Sequence, residues 1–368
     1  MKSENLGNIL IFEKKSKRRA SEGMNNGDFK FFTSSPIQTK KVSNSDYEGE
    51  FLIFGTGGSA SIHYCSGKFS TSADCLVAST NGVVLTKYVY YYLKYNLDLI
   101  ENSFQGSGLR HTSKSRLKDI VILYPDNIQN QKKIISIFEK VDIIIEKRNR
   151  SNQLRDIMIR SYFYEMFRNP LIQDRWDLKP LSEFGKIVTG NTPPRRNKEY
   201  YGSYIDWIKS DNLNHSGIFL TRSSEMLSEI GATVGRIVPK GSVLITCIAG
   251  SIDCIGNAAI ADREVSFNQQ INAIVPKSNI DSFYLYYLIE FSKSIIQSVS
   301  SKSLKGIVNK SKLSSIKFSI PPINLQKKFS IFVQKVQGIR EFQDNSMNKT
   351  RSLSNSLAQK LLAREIIN

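Results

Sequence analysis

The chain has few of the residues on which metal sites and disulfide frameworks depend. Its 368 residues include three histidines, too few to supply a histidine-based metal cluster or catalytic triad well. It has four cysteines without CxxC spacing, a pattern typical of separate thiols in a reducing compartment. We therefore predict no metal site and expect a cytoplasmic location. The cysteines are Cys65, Cys75, Cys247 and Cys254.

Long apolar runs are also missing. The most apolar stretch, near residues 83–93, contains Thr86 and Lys87 and falls short of the roughly 18 apolar residues that a membrane helix needs. The N-terminus does not have the basic-then-apolar pattern of a secretion signal. The sequence therefore predicts no membrane partner.

Familiar catalytic motifs are absent as well. The nearest approach to a phosphate-binding P-loop is Gly67-Lys68, but Phe69 follows where the motif requires Ser or Thr. Neither Pro-Pro pair has the flanking residues of an amino-methyltransferase motif. Asp206 and Lys209 lack the second acidic residue of a nuclease site. We therefore predict no catalytic residue, with a nuclease that uses an unrecognised site as an alternative.

What the sequence does have is a large excess of positive charge. The 51 Lys and Arg residues exceed the 33 Asp and Glu residues and give a formal net charge of +18. Such a surface favours a polyanion, and nucleic acids are among the commonest in a cell. Composition alone leaves open a merely basic protein from an A/T-rich genome.

One stretch of the sequence occurs twice. Residues 115–125 align with residues 311–321 at an offset of 196, and the Gln-Lys-Lys at 131–133 aligns with 326–328 at an offset of 195. So long a period excludes a solenoid and indicates a tandem duplication of a whole domain. Each copy predicts short strands, an aromatic-rich helix, a strand that ends in proline and a long helix. The predicted fold class is therefore α+β, with two α/β domains of similar fold.

Long helices are predicted over about residues 128–166 and 324–366, where apolar residues recur at steps of three and four without proline. Both apolar seams turn polar in the middle, at Arg148 and at Ser346. Antiparallel pairing would place these polar centres together and avoid burying polar groups against apolar ones, as would parallel pairing in register. A whole domain separates the two helices along the chain, which favours the antiparallel direction. We therefore predict an antiparallel coiled coil, with helices that cap their own domains as the alternative. The predicted seam residues are Ile134, Phe138, Val141, Ile145, Phe329, Phe332, Val336, Ile339, Leu353 and Leu357.

Basic residues concentrate in loop-like segments rich in Gly and Ser. Lys and Arg neutralise phosphates, small residues let backbone N–H groups approach the same oxygens, and Asn can pair with base edges. Each cluster alone is typical of a solvated loop, but the clusters recur at matching places in both copies, so DNA contact and solvated loops both remain open interpretations. The candidate DNA-binding residues are Lys14, Lys15, Lys40, Lys41, Arg110, His111, Lys114, Arg195, Arg196, Lys209, Asn212, Lys302 and Lys305.

Several motifs of the second half are distinctive. They include Trp176-Asp-Leu-Lys-Pro-Leu181, Gly185-Lys-Ile-Val-Thr-Gly190-Asn-Thr-Pro193 and Gly241-Ser-Val-Leu-Ile-Thr246. With these motifs, and with the strand–Pro–Gln-Lys-Lys pattern in both halves, the chain resembles the specificity (S) subunit of a type I restriction–modification system. The first half lacks the Gly-x-Thr-Pro motif and resembles another variety of the family's recognition domain.

The resemblance implies a division of labour. Residues 1–125 and 169–322 would be target recognition domains that each read half of a split DNA sequence, and the long helices 126–168 and 323–368 would fix the spacer. The helices would bind two methyltransferase (modification) subunits, which carry S-adenosylmethionine. Restriction (translocase/nuclease) subunits would use ATP and Mg²⁺, so this chain would bind no cofactor and catalyse nothing. A coiled-coil scaffold that joins two protein-binding domains is the other alternative.

Overall fold

The computed structural model describes residues 1–106, 108, 110–171, 175–214, 217–300 and 306–362. The chain divides into two compact units, one of Met1–Arg150 with the chain from Gln343 onward, and the other of Ser151–Phe342. Both units mix helices and strands, which confirms the mixed α and β class. Two long helices cross the boundary, so each unit holds part of each. None of the helices in the described ranges has the length and apolar character needed to cross a membrane.

The first unit is built on a six-stranded sheet. The strands of this unit are β1 Lys2–Asn5, β2 Leu10–Phe12, β3 Phe29–Phe32, β4 Lys40–Val42, β5 Tyr47–Gly55, β6 Ile62–Thr71, β7 Cys75–Thr80 and β8 Val121–Tyr124. Of these, β1 and β8 pair with each other outside the six-stranded sheet. Its helices are α1 Leu6–Ile9, α2 Thr86–Tyr95, α3 Leu97–Glu101, α4 Lys114–Lys118 and the first part of α5 Ile128–Phe167. The sheet order is β2-β7-β5-β6-β3-β4, with β3 and β6 parallel and the other pairs antiparallel.

The central strand β5 has core on both faces. Leu52 and Phe54 belong to the cluster that contains α2 and α5 side chains, whereas Ile53 packs with Phe69 and Val77. Successive strand residues point to opposite faces, so two separate cores explain the continuous apolar run of β5.

The second unit contains smaller sheets. Its strands are β9 Leu178–Pro180, β10 Gly185–Thr189, β11 Tyr201–Gly202, β12 Ile205–Ile208, β13 Met226–Leu227, β14 Ile237–Val238, β15 Val243–Thr246, β16 Ile248–Ala249, β17 Ala258–Ile260, β18 Val265–Phe267, β19 Ile271–Pro276, β20 Gly306–Ile307 and β21 Lys317–Ser319. Its helices are α6 Glu229–Val234, α7 Ser282–Phe291, α8 Lys293–Ser298, α9 Lys310–Ser315 and the first part of α10 Ile323–Leu361. The larger sheets have the orders β10-β19-β15-β17 and β11-β13-β12-β18-β14.

A buried glutamine joins the long helix α5 to the rest of the first unit. The Gln131 amide oxygen accepts a hydrogen bond from the Leu85 N–H at 2.9 Å, and its amide nitrogen donates to the Pro125 carbonyl at 2.9 Å. Nearby, the Tyr88 hydroxyl donates to the Leu123 carbonyl at 2.9 Å. These bonds satisfy backbone groups where the strand β8 ends and α5 begins.

The second unit makes the same contacts 195 or 196 residues further along. The Gln326 amide oxygen accepts from the Asp281 N–H at 2.8 Å, and its amide nitrogen donates to the Pro321 carbonyl at 2.7 Å. The Tyr284 hydroxyl donates to the Ser319 carbonyl at 3.0 Å. The sequence repeat therefore corresponds to a repeated hydrogen-bond arrangement at the start of each long helix.

The long helices contact each other within each unit. In the first unit, Ile134 and Phe138 of α5 share a core with Ala358 of α10 and with Leu362, which directly follows α10. In the second unit, the Tyr162 ring of α5 lies 4.3 Å from that of Phe332 and 6.2 Å from that of Phe329, between centroids. Among the other predicted seam residues, Val336 is buried and Val141, Ile145 and Leu357 are half-buried.

Two predicted seam residues of α10 do not lie on its buried face. Ile339 and Leu353 are 54 % and 61 % exposed. The buried positions near them are Val336, Met347 and Ser354, and the Ser354 hydroxyl is hydrogen-bonded to the Tyr95 hydroxyl. The prediction followed the apolar residues, but helix geometry aims the neighbouring positions at the core, even where the residue is serine.

Candidate nucleic-acid interface

Lys14 and Lys15 lie in an exposed segment between β2 and β3. They line a cavity of about 610 Å³, beside which Arg18 forms a bidentate pair with Asp46 through bonds of 2.7 and 2.9 Å. The hydrogen bond from Arg18 lowers the pKa of Asp46. The segment is thus fixed through Arg18, while both lysine side chains remain exposed to solvent.

Lys40 and Lys41 occupy the edge strand β4. Lys40 is half-buried and Lys41 is exposed. Adjacent strand residues point to opposite faces of a sheet, so these two ammonium groups cannot both face one phosphate row. The structure therefore separates a pair that the sequence presents as one cluster.

The candidates before β8 are held by local contacts. Arg110 donates to the Glu101 carboxylate at 2.9 Å, and a His111 ring nitrogen lies 3.2 Å from the Thr56 carbonyl oxygen. Lys114 is exposed in the first turn of α4. Because the Arg110–Glu101 pair is at the surface, it contributes little to stability. Arg110 can therefore exchange Glu101 for a phosphate at a small cost in free energy.

In the second unit, Arg195 and Lys209 converge on one carboxylate. The two Arg195 Nη atoms lie 2.6 and 3.1 Å from the Glu225 oxygens, and the Lys209 ammonium also bonds to Glu225. The hydrogen bonds from Arg195 and then Lys209 lower the pKa of Glu225 to about 2. The Arg195 guanidinium lies over the rings of Tyr201 and Trp207, at 4.7 and 4.9 Å from their centroids.

Asn212 has a structural role, which corrects its prediction as a DNA-binding residue. It is 6 % exposed, and its amide group donates to the Thr221 hydroxyl and to the Arg222 carbonyl, both at 3.0 Å. Its amide oxygen accepts from the Lys209 N–H at 2.9 Å. Both amide protons are therefore used inside the protein, and none is left to pair with a base.

The remaining candidates of the second copy have different positions. Arg196 is exposed directly after Arg195. Lys302 and Lys305 lie outside the described residues. The structure thus brings Arg195 and Lys209 together and leaves Arg196 separate from their shared carboxylate.

Sequence reasoning missed a second ionic cluster. Asp206 on β12 is 4 % exposed and accepts hydrogen bonds from Arg263 at 2.6 Å, Arg222 at 3.1 Å and the Ser223 hydroxyl at 2.7 Å. Burial raises the pKa of Asp206, but the bonds from Arg263 and Ser223 outweigh it and lower the pKa to about 2. The Arg222 side chain is 79 % exposed, so it adds positive charge to this surface. No sequence signal beyond the overall charge could have pointed to these residues.

No metal centre emerges from this geometry. In the parts of the chain that the structure describes, no three His, Cys, Asp or Glu side chains are grouped so that they could hold a metal ion. Among the candidate cations, Arg110, Arg195 and Lys209 are held by carboxylates, and Arg195 and Lys209 also lie over aromatic rings, an arrangement suited to phosphates and base edges.

Residues 1–156 and 173–347 match the family model for the type I restriction modification DNA specificity domain. The chain belongs to this family. It is 30 % identical over 192 residues to the type I restriction enzyme HindI specificity subunit of Haemophilus influenzae, a match that covers 51 % of this chain and 38 % of that protein. The chain is 33 % identical over 164 residues to the type I restriction enzyme MjaIX specificity subunit of Methanocaldococcus jannaschii. This match covers 42 % of this chain and 36 % of that protein. The chain thus spans little more than a third of the length of these two relatives.

A longer match joins this family member to the EcoR124I/EcoR124II specificity subunit of Escherichia coli. It is 25 % identical over 312 residues and covers 81 % of this chain and 72 % of that protein. The fold is similar to the crystal structure of the S subunit from M. genitalium, with a TM-score of 0.63, 14 % identity, and 99 % and 96 % of the two chains covered. The fold is also similar to a chain from structural work on complex assembly and conformational transition of the type I R-M system. That comparison has a TM-score of 0.58 and 15 % identity, and it covers 99 % of this chain and 98 % of the other.

Proposed function

We propose that this chain is the DNA specificity subunit of a type I restriction–modification assembly and that it reads a bipartite DNA sequence. The observation that carries the proposal is the family match to a DNA specificity domain over two stretches, residues 1–156 and 173–347. The net charge of +18 and the exposed lysine and arginine side chains of both units support a polyanionic ligand.

The proposal includes two recognition domains, residues 1–125 and 169–322, that arose by tandem duplication. The matching contacts of Gln131 and Gln326 support a common ancestor for the two halves. The sheets differ, with a six-stranded sheet in the first unit and four- and five-stranded sheets in the second. Different sheets present different side chains, so we infer that the domains read different half-sites.

The proposal also makes α5 and α10, within residues 126–168 and 323–368, an antiparallel coiled coil that sets the spacer. In the first unit, Arg148 donates to the Ser346 carbonyl at 2.6 Å and to the Thr350 hydroxyl at 2.5 Å. In the second unit, Tyr162 packs on Phe329 and Phe332. In both units, earlier residues of one helix contact later residues of the other, which supports the antiparallel direction.

We assign the chemistry to other subunits. Two methyltransferase subunits would carry S-adenosylmethionine and modify an adenine, and restriction subunits would use ATP and Mg²⁺ for translocation and cleavage. This chain would then select the site and catalyse no step, with Lys14, Lys15, Lys41, Lys114, Arg196 and Lys209 as candidate phosphate contacts.

Methylation mapping of a host with and without the gene tests this function. We expect adenine methylation at one bipartite motif to disappear with the gene. Exchange of residues 1–125 for those of another family member should change one half-site and leave the other intact. An unchanged methylation pattern would contradict the proposal. Metal-dependent cleavage by the chain alone would favour a nuclease, and failure of the complete assembly to bind any duplex would favour a scaffold.

A further inference from the structure

The loop after β10 is held in place by two aromatic side chains of the second unit. The Tyr201 hydroxyl donates to the Pro193 carbonyl at 2.6 Å, and the Trp207 indole N–H donates to the Asn191 carbonyl at 3.2 Å. A second proline, Pro194, follows Pro193, and the ring of each proline fixes the φ angle of that proline. The backbone that leads into Arg195 therefore has little conformational freedom.

The Arg195 side chain is equally restricted. Its guanidinium lies over the same rings that anchor the loop, and both Nη atoms bond to the Glu225 carboxylate. A guanidinium carries five N–H donors, of which these bonds use two. Since the side chain is still 53 % exposed, donors remain to meet a ligand from solvent.

The charge around this guanidinium favours a polyanion despite the neighbouring carboxylate. Glu225 is contacted by Arg195 and by Lys209, so two positive charges face one negative charge. Lys209 in turn lies 5.2 Å from the Trp207 ring centroid and is 28 % exposed. The cluster thus has a net positive charge and a fixed geometry, and little side-chain entropy is left to lose on binding.

We propose that Arg195 reads a guanine in the half-site of the second recognition domain, an inference that rests on the proposed function. Paired N–H donors of arginine match the O6 and N7 acceptors of guanine, which is the commonest specific contact in the major groove. Glu225 acts as a positioning residue that holds the guanidinium plane against the aromatic rings. Arg196 carries the same charge without this support, which makes it a matched control.

The test uses the complex of this chain with its methyltransferase subunits and DNA duplexes in which each half-site base pair is replaced in turn. For the wild type, replacement of one G·C pair should weaken binding roughly 10- to 100-fold. Arg195→Ala should abolish that preference at that position alone. Arg196→Ala should weaken all duplexes alike and keep the preference. Glu225→Gln should reduce the preference at the same base pair without removing it.

A modified base separates base reading from a structural role. A duplex with 7-deazaguanine lacks the N7 acceptor. It should therefore bind to the wild type more weakly than the guanine duplex does, whereas Arg195→Ala should bind both duplexes equally well. If Arg195→Ala lowers thermal stability, Arg195→Lys provides a second variant that keeps the charge but loses the bidentate pair. Unchanged discrimination in the Arg195 variants, or an equal loss for every duplex, would overturn the inference and leave the proposed function standing. A wild-type complex that prefers no sequence would refute the proposed function itself.

Discussion

The two units use the ends of the long helices differently. In the first unit, the small Ala358 of α10 and the aliphatic Leu362 directly after it join the core. In the second unit, Phe163 and Phe167 of α5 join the core and contact several other rings. The rings that surround them are Tyr164, Trp176, Tyr284, Phe291 and Phe329. The second unit therefore gains much more apolar burial from the helix end than the first unit does.

The starts of the two long helices, in contrast, are alike in the two units. Gln131 and Gln326 make matching hydrogen bonds, although the sheets around them differ in strand number and order. A buried amide group needs fixed donors and acceptors around it, so these two junctions make the same demand on both units. The two units therefore share the hydrogen bonds at the start of the long helix and differ in their sheets and in the helix ends.

The largest effect is expected from Phe163→Ala. Phe163 is fully buried, and its ring centroid lies 5.0 Å from that of Phe167 and 5.4 Å from that of Phe329. Loss of the ring should lower the free energy of unfolding of the second unit by about 3–5 kcal/mol. Urea unfolding followed by tryptophan fluorescence measures this unit alone, because the two tryptophans of the chain, Trp176 and Trp207, both belong to it.

The matched control for this change is Ile157→Ala on the same helix. Ile157 is 59 % exposed, so its truncation should change the free energy of unfolding by less than about 0.5 kcal/mol. Equal losses for the two variants would show that the aromatic helix end does not stabilise the second unit, and the contrast between the units would fail.

Gln131→Leu and Gln326→Leu are expected to lower the free energy of unfolding less than Phe163→Ala does, and by the same amount as each other. Each change leaves a backbone N–H and a proline carbonyl beside a fully buried side chain without their partner and should cost about 1–3 kcal/mol. Hydrogen exchange followed by mass spectrometry should show faster exchange of the Leu85 amide in the first variant and of the Asp281 amide in the second.

Exposed neighbours provide the controls for the glutamines. Lys132→Leu and Lys327→Leu alter the next residue of each helix, where the side chain is exposed, and should leave both amides protected. Faster exchange in only one of the two glutamine variants would mean that the junctions are not energetically equivalent, despite their matching hydrogen bonds.

The repeat and the long helices could be predicted from the sequence. The first helix was expected over residues 128–166 and runs from Ile128 to Phe167, and the second starts at Ile323, one residue before its expected start. Proline before each helix and a regular apolar spacing determine such boundaries. Arg148 also meets Ser346, as the polar centres of the two seams indicated.

Side-chain surroundings could not be predicted in the same way. Asn212 looked like a base-reading residue, but its polar groups are used by the protein, because amide groups serve folding and binding equally well. Ile339 and Leu353 looked like seam residues, yet tertiary contacts orient α10 so that they face solvent. Gln131 and Gln326 were visible as a repeated motif, but a glutamine in a first helical turn gives no sign that it is buried.

The smallest effect concerns acid stability. In the second unit, burial raises the pKa of Asp206, but the hydrogen bonds from Arg263 and Ser223 prevail and lower the pKa from 3.8 to about 2. A carboxylate with a lowered pKa stabilises the folded state above its unfolded pKa, and the stabilisation is lost as the pH falls towards the folded pKa. Between pH 5 and pH 3 the second unit should therefore lose about 1 kcal/mol through this group. Asp206→Asn should remove that part of the pH dependence.

The first unit provides the contrast for this prediction. Its comparable pair, Arg18 and Asp46, has side chains that are 26 % and 30 % exposed, against 4 % for Asp206, so solvent screens its contribution more strongly. Tryptophan-detected urea midpoints at pH 5 and pH 3 measure the second unit, with Asp211→Asn, an exposed aspartate of that unit, as the control. If the wild type and Asp206→Asn show the same pH dependence, the buried ion pair contributes nothing to the difference between the units. If Asp206→Asn flattens the dependence and Asp211→Asn does not, this part of the acid sensitivity of the second unit belongs to the Asp206 cluster on β12, next to Trp207, whose ring supports Arg195.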